Sequence, residues 1–146
     1  MREYLFRAKT EPCSKDAISG KIELKPKWVY GYIDLGYMQD EKGAIISDEK
    51  AHSAYRCQYS TIGQYTGMKD KNGRRIFEGD IVKRCFTLTR GEHRKTRETQ
   101  VGVVRYKNSD CAFWLENTCS LRRPWPGDTL EVIGNIHDNP ELMKER

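Results

Sequence analysis

Asp70, Glu78 and Asp80 lie close together in the chain, and neighbouring carboxylates are what general acid–base chemistry uses. Their glycine neighbours point elsewhere. Asp70 opens the stretch Asp70 to Gly73, where a short acidic side chain accepts hydrogen bonds from nearby backbone amides. Asp80 follows Glu78 and Gly79 and ties down that turn in the same way. Both read as turn residues. Cys85 follows Lys83 and Arg84, and cations lower a thiol's pKa. Strand alternation, however, puts Arg84 on the opposite face and leaves only Lys83 beside the thiol. No base stands next to it, so no nucleophile is expected. Metal ligands are scattered as well. Cys111 and Cys119 are eight positions apart, and His52, His93 and His137 are dispersed, whereas structural zinc favours short paired spacings. Gly63, Gly67, Gly73 and Gly79 are isolated at turns and open no helix, so they build no phosphate cradle. The sequence therefore predicts no catalytic residue, no metal and no cofactor: a protein that is not an enzyme.

Binding chemistry is better represented. Between Asp80 and Lys107 there are eight Lys/Arg and three acids, an excess equal to the formal +5 of the whole chain. A concentrated positive patch attracts polyanions, and it can equally be a solvated face. Arg84, Arg105, Lys107, Arg122 and Arg123 lie near Phe86, Tyr106, Trp114 and Trp125 in sequence, and single-strand binders combine cations with stacking aromatics in this way. The candidate contact set is Arg84, Arg90, Arg94, Lys95 and Arg97, with Arg122, Arg123 and Trp125 as an exposed aromatic–basic spot. Trp114 and Tyr106 read as core or interface residues.

These residues need a scaffold. The chain has 146 residues, enough for one domain or two small ones, and only 37% are hydrophobic. Eight Tyr, four Phe and three Trp enlarge the lean core, since each aromatic buries on the order of 150–250 Å². The five cysteines are odd in number and lack CxxC spacing. The first residues carry no secretory apolar run, and no stretch approaches the ~20 apolar residues of a membrane helix. Reduced thiols in a cytosolic protein are expected, with no membrane contact.

Strand signals dominate the chain. Residues 3–8 form a short one, followed by a polar loop through Pro12, Ser14, Ser19 and Gly20. Residues 27–35 are rich in aromatic and β-branched side chains, with Val29 and Tyr30 on opposite faces. Gly31 inside this run marks a bulge or a close backbone approach. A turn at 40–43, a short strand after it and a strand at 54–58 follow. Asn72-Gly73 is the pair that type I′ hairpin turns prefer, because both central residues need φ > 0. Residues 81–86 and 100–106 alternate as strands. Thr87 to Thr99, highly charged and holding Gly91, reads as a long connection with a mobile tip. Residues 112–116 and 129–134 are further strands. Asn139 as N-cap and Pro140 at the first position predict a short C-terminal helical turn. Short strands joined by glycine turns from Gly63 onward argue a small antiparallel barrel.

Four blocks carry a resemblance. The start (Met1 to Ala8), Trp28 to Tyr32, Gly63 to Lys83, and Leu130 to Leu142 resemble, in order, the landmarks of the YopX family of phage and prophage proteins. Residues 85–128 match least. The resemblance implies a mainly β chain: a C-terminal SH3-like barrel over 63–146 behind a smaller, mostly β part over 1–62. It also implies a phage or prophage accessory protein, in the cytoplasm of the bacterial host, that acts by binding and self-association as a homo-oligomer. It carries across no activity, no catalytic residue and no protein partner. Nucleic-acid binding through the basic 83–107 region stands as the alternative.

Overall fold

The computed structural model describes residues 3–34, 43–48, 50, 53–116, 118–121 and 127–144. The chain divides into two compact units, Met1–Tyr65 and Thr66–Arg146. Both are built from antiparallel sheet.

In the first unit, β1 (Phe6–Lys9) pairs with β4 (Trp28–Asp34), which pairs with β5 (Gly43–Asp48), which pairs with β6 (Ala54–Gln58). On its other edge β1 pairs with the start of β7 (Gly63–Lys69). Alternation decides what each strand buries. Ala8, Ile46, Tyr55 and Cys57 form the core, with Phe6, Val29, Ile33 and Ile62 packed against it. Gly31 makes the close approach that its sequence suggested. A methyl group there would run into the Ser47 carbonyl group on β5, so this ladder closes only around glycine.

The polar stretch expected as loop is more ordered than its composition indicated. It holds a small hairpin of β2 (Ser14–Lys15) and β3 (Ile22–Glu23). Asp16 anchors this segment. Its buried carboxylate accepts the amides of Ala54 (2.8 Å) and Ile18 (2.9 Å) and the Ser19 hydroxyl (2.6 Å). Burial works to raise its pKa, and the Ser19, Ala54 and Ile18 donors outweigh that and hold it at about 2.

In the second unit, the remainder of β7 pairs with β8 (Arg75–Phe77). A five-stranded sheet follows in the order β12 (Cys119–Ser120), β11 (Ala112–Leu115), β10 (Arg94–Lys107), β9 (Asp80–Arg90), β13 (Thr129–Asn135). Its core gathers Ile76, Val82, Val104, Phe113, Leu115, Leu121, Leu130 and Val132. Each fully buried aliphatic of this kind contributes about 1.5–3 kcal/mol. Among the described residues the sheet is open, with β12 and β13 at its two ends and no ladder between them. The closed barrel expected from the sequence is not formed. Closure needs the two end strands of a sheet to pair with each other at a consistent tilt and stagger. Instead β7 and β8 pair with each other, and β9 and β10 run far beyond the sheet.

Two local expectations are corrected. The β7–β8 turn is not type I′. Gly73 has φ 80, but Cys13 and Cys111 are the non-glycines with positive φ among the described residues, so Asn72 has a negative φ. Gly73 donates to the Asp70 carbonyl (3.0 Å) and Asp70 to that of Arg74 (2.8 Å), the three-residue loop in which a type I turn ends on a left-handed glycine. Asp70 selects it by accepting the amides of Asn72 and Arg74, both at 2.9 Å. The C-terminal turn is a 3-10 turn over Pro140–Met143 with Pro140 at its start, as expected. The Asn139 side chain does not cap it. It accepts the Asn135 amide at 3.3 Å and so fixes the chain leaving β13.

Candidate nucleic-acid interface

The charged stretch after Phe86 is strand, not loop. β9 and β10 stay in register from Ile81 opposite Val103 to Arg90 opposite Arg94. The neighbouring strands stop early. β13 reaches only Cys85, and β11 pairs only with Val104 to Lys107. From Phe86 and Glu98 outward the hairpin is therefore a two-stranded arm, exposed along most of its length. Its threonines explain the strand: Thr87, Thr89, Thr96 and Thr99 are β-branched and suit a solvated ladder. Gly91, with φ 70, turns the tip.

Alternation sorts the arm's cations onto two faces. Arg90 and Arg94 are directly opposite one another, beside Leu88 and Thr96. Lys95 and Arg97 lie on the other face, opposite Thr89 and Thr87. Like charges directly opposite repel, so the Arg90–Arg94 pair is a cost to folding that a bound anion would relieve.

Arg84 is placed differently from the rest of the predicted set. Its guanidinium is buried against Asp128, with Nη2 at 2.6 Å and Nε at 2.8 Å from one carboxylate oxygen. The two side chains are 9% and 4% exposed. Gln100 (3.3 Å) and the Phe86 ring (4.4 Å) complete its surroundings. Arg84 thus anchors the root of the arm and is not presented to solvent. Arg122, Arg123 and Trp125 lie outside the described residues.

At the other end of β10 the register brings together residues that sequence proximity only hinted at. Arg105 stands opposite Trp114, and Lys107 opposite Ala112. Arg105, Tyr106, Lys107, Trp114, Glu116 and Thr118 line an open recess of about 390 Å³. Lys107 Nζ lies 4.5 Å over the Trp114 ring and 3.0 Å from Asp110. The Lys107 hydrogen bond is the main reason that the Asp110 carboxyl sits below its usual range. Tyr106 packs edge-on to Phe113 at 5.2 Å and stays exposed, which corrects the core half of its core-or-interface reading. Trp114 is half-buried.

The groups weighed for catalysis have structural partners. Asp70 serves the turn, as above, and Asp80 Oδ2 accepts the Phe77 amide (2.8 Å) across the Glu78–Gly79 turn. Burial pushes the Glu78 carboxyl up, with Arg105 opposing. Cys85 is half-exposed. Its contact with Thr99 chiefly lowers its pKa, with Thr129, Lys83 and Arg97 adding to this. Its side-chain contact is the Thr99 hydroxyl at 3.8 Å, and among the described residues no three His, Cys, Asp or Glu side chains gather at metal-binding reach. No helix of the described residues is long and apolar enough to cross a membrane.

Comparison with known proteins adds the family. A solved structure, protein EF1440 from Enterococcus faecalis, is similar at 24% identity over 98% of this chain and 99% of that one, with a TM-score of 0.41. A search of curated proteins found no match. The model of the family described as YopX protein matches residues 6–144, nearly the whole length, and the chain therefore belongs to the YopX family.

Proposed function

We propose that this chain is a non-enzymatic binding protein that grips duplex nucleic acid with the end of its β9–β10 arm. One observation carries the reading. A two-stranded ribbon, free of flanking strands, projects Arg90, Arg94, Lys95 and Arg97 against only Glu92 and Glu98. A two-stranded β-ribbon is one of the elements that the major groove of DNA admits. Having cations on both faces suits an element inserted between two phosphate backbones. Threonine hydroxyls between them supply further hydrogen bonds to phosphate oxygens. The family likeness supports a setting as a phage or prophage accessory protein in the cytoplasm of a bacterial host, working as a homo-oligomer. Two copies would present two arms and raise avidity without new contacts.

The test is a fluorescence anisotropy titration of a labelled duplex across a range of salt, with an Arg94→Ala/Lys95→Ala/Arg97→Ala variant alongside. Four phosphate contacts predict that log affinity falls with log salt at a slope of roughly −3 to −4 per arm. The triple variant should lose most of that slope. Duplex binding that is absent at low salt, or unchanged in the variant, would remove the reading.

A further inference from the structure

The outer face of the second sheet carries a tryptophan that the core does not explain. On β11, Phe113 and Leu115 join the core, and alternation turns Trp114 and Glu116 outward. On β10, Val104 is the core residue, so Arg105 and Lys107 share that outer face. Register puts Lys107 opposite Ala112 and Arg105 opposite Trp114. Glu116 donates its amide to the Val103 carbonyl at 2.9 Å, which continues the same register. One row therefore runs from Lys107 past Arg105 and Trp114 to Glu116, about 13 Å from end to end. These side chains line the recess of about 390 Å³, a size at which small-molecule sites occur. Arg105, Lys107 and Glu116 are exposed, and Trp114 is half-buried. Arg105 and Glu116 are diagonal neighbours of opposite charge, yet neither side chain is in an ion pair among the described residues. Lys107 is held only by its 3.0 Å pair with Asp110 and its place over the indole, and its side chain is 52% exposed.

We infer that this recess binds a guanine nucleotide, with the base stacked on Trp114, its donor edge on Glu116 and its phosphate on Arg105 and Lys107. Each end of the row selects one part of the ligand. An ionised carboxylate only accepts hydrogen bonds, and Glu116 has two oxygens to offer. Guanine is the common base that turns two adjacent N–H donors to one edge. At the other end, two cations at alternate positions of β10 stand on the same side, and arginine's planar fork suits a phosphate. The indole supplies the stacking surface in the middle of the row. A nucleotide laid along the row puts its phosphate and its base edge at the two ends. The base takes the place over Trp114 that Lys107 now covers. An exposed ion pair holds little energy, so Lys107 leaves Asp110 for the phosphate at small cost. A free nucleotide and the 5′-phosphorylated end of a strand present this same chemistry. Recess and arm use different stretches of β10, 105–107 and 94–97, so the inference does not rest on the arm.

The experiment titrates the full chain by calorimetry with guanosine 5′-monophosphate, adenosine 5′-monophosphate, guanosine, and a short oligothymidylate that begins with a 5′-phosphorylated guanosine. Arg105→Ala, Glu116→Gln and the arm triple variant run alongside wild type. Arg105 and Glu116 are exposed, so their variants should keep the wild-type thermal midpoint. Losing a charged hydrogen-bond partner should weaken guanosine monophosphate roughly tenfold to a hundredfold in Arg105→Ala. Guanosine, which lacks the phosphate, should bind wild type and Arg105→Ala alike. Wild type should prefer the guanine monophosphate to the adenine one, and Glu116→Gln should bring the two together. The arm triple variant should bind the mononucleotide as wild type does. The inference is overturned if wild type binds neither guanosine monophosphate nor the oligonucleotide saturably, or if it binds the two monophosphates equally. It is overturned equally if Arg105→Ala binds unchanged. Binding of the oligonucleotide alone, lost in Arg105→Ala, would assign the recess to a strand end, whereas loss only in the arm triple variant would remove the recess from the account.

Discussion

Asp70 Oδ2 accepts the amide hydrogen of Val132 at 3.0 Å, across 62 positions of sequence. The same carboxylate holds its own hairpin loop through Asn72 and Arg74. Beside it, Lys71 donates its amide to the Leu130 carbonyl (2.8 Å), and its ammonium reaches Glu131 at 3.1 Å. One side chain therefore sets a local turn and clips that turn to β13.

Asp70→Ala should destabilise the chain by about 2–4 kcal/mol, because it strands the buried Val132 amide along with two loop amides. Asp70→Asn should be intermediate, since an amide group can accept on one side but turns a donor toward the other. Urea unfolding midpoints measure both. An alanine variant as stable as wild type would show that water replaces these bonds at no cost.

Stability should fall in acid over a window set by depressed carboxyls. Asp16 is held at about 2, and Asp70 is lowered because amide donors from Val132, Arg74 and Asn72 outweigh the effect of burial. A folded pKa below the unfolded value stabilises above the unfolded pKa of about 3.9, and the gain is lost as pH falls toward the folded value. Thermal midpoints should be level from pH 7 to about 5 and drop between about pH 4 and 2. Asp16→Asn should start lower at pH 7 and show a shallower acid drop. Midpoints that stay level down to pH 2 would contradict this.

Arg84 and Arg97 should separate folding from binding. Arg84→Ala leaves the Asp128 carboxylate buried without its cation and should cost about 3–5 kcal/mol. Arg97→Ala, on the exposed arm, should change stability by less than about 0.5 kcal/mol and yet weaken polyanion binding. Chemical denaturation and the anisotropy titration, run on both variants, check the pair. Equal stability losses would mean that the arm is part of the folded core.

The thiols should differ in reactivity. Burial pushes the Cys57 thiol up to about 12, whereas Cys85 is lowered by Thr99 and neighbouring cations. Alkylation with iodoacetamide at neutral pH, followed by peptide mapping, should label Cys85 well before Cys57. Cys57 reacting first would indicate that the first unit opens readily.

Much of the local structure was legible. The aromatic and β-branched run through Tyr30 announced β4, and Gly31 within it announced the close approach to Ser47. Asn139 and Pro140 announced the final turn, although not where the Asn139 side chain bonds. The arm's charge resembles a loop, while its β-branched threonines carry the contrary signal. The Asp16 network was only partly legible: its Ile18 and Ser19 donors are local, but the Ala54 amide lies 38 positions along the chain.

The sequence alone determined periods and turns: which residues alternate, where glycine lets the chain reverse, and to which family the chain is similar. Those properties depend on neighbouring residues and their backbone angles. Tertiary structure decided which strands pair, that the second sheet stays open, that Arg84 is spent on Asp128, and that Arg7 and Lys9 flank Trp28. Such choices follow from register between distant strands. Register is set by which apolar faces and buried charges can be satisfied together, and no short stretch of sequence records that.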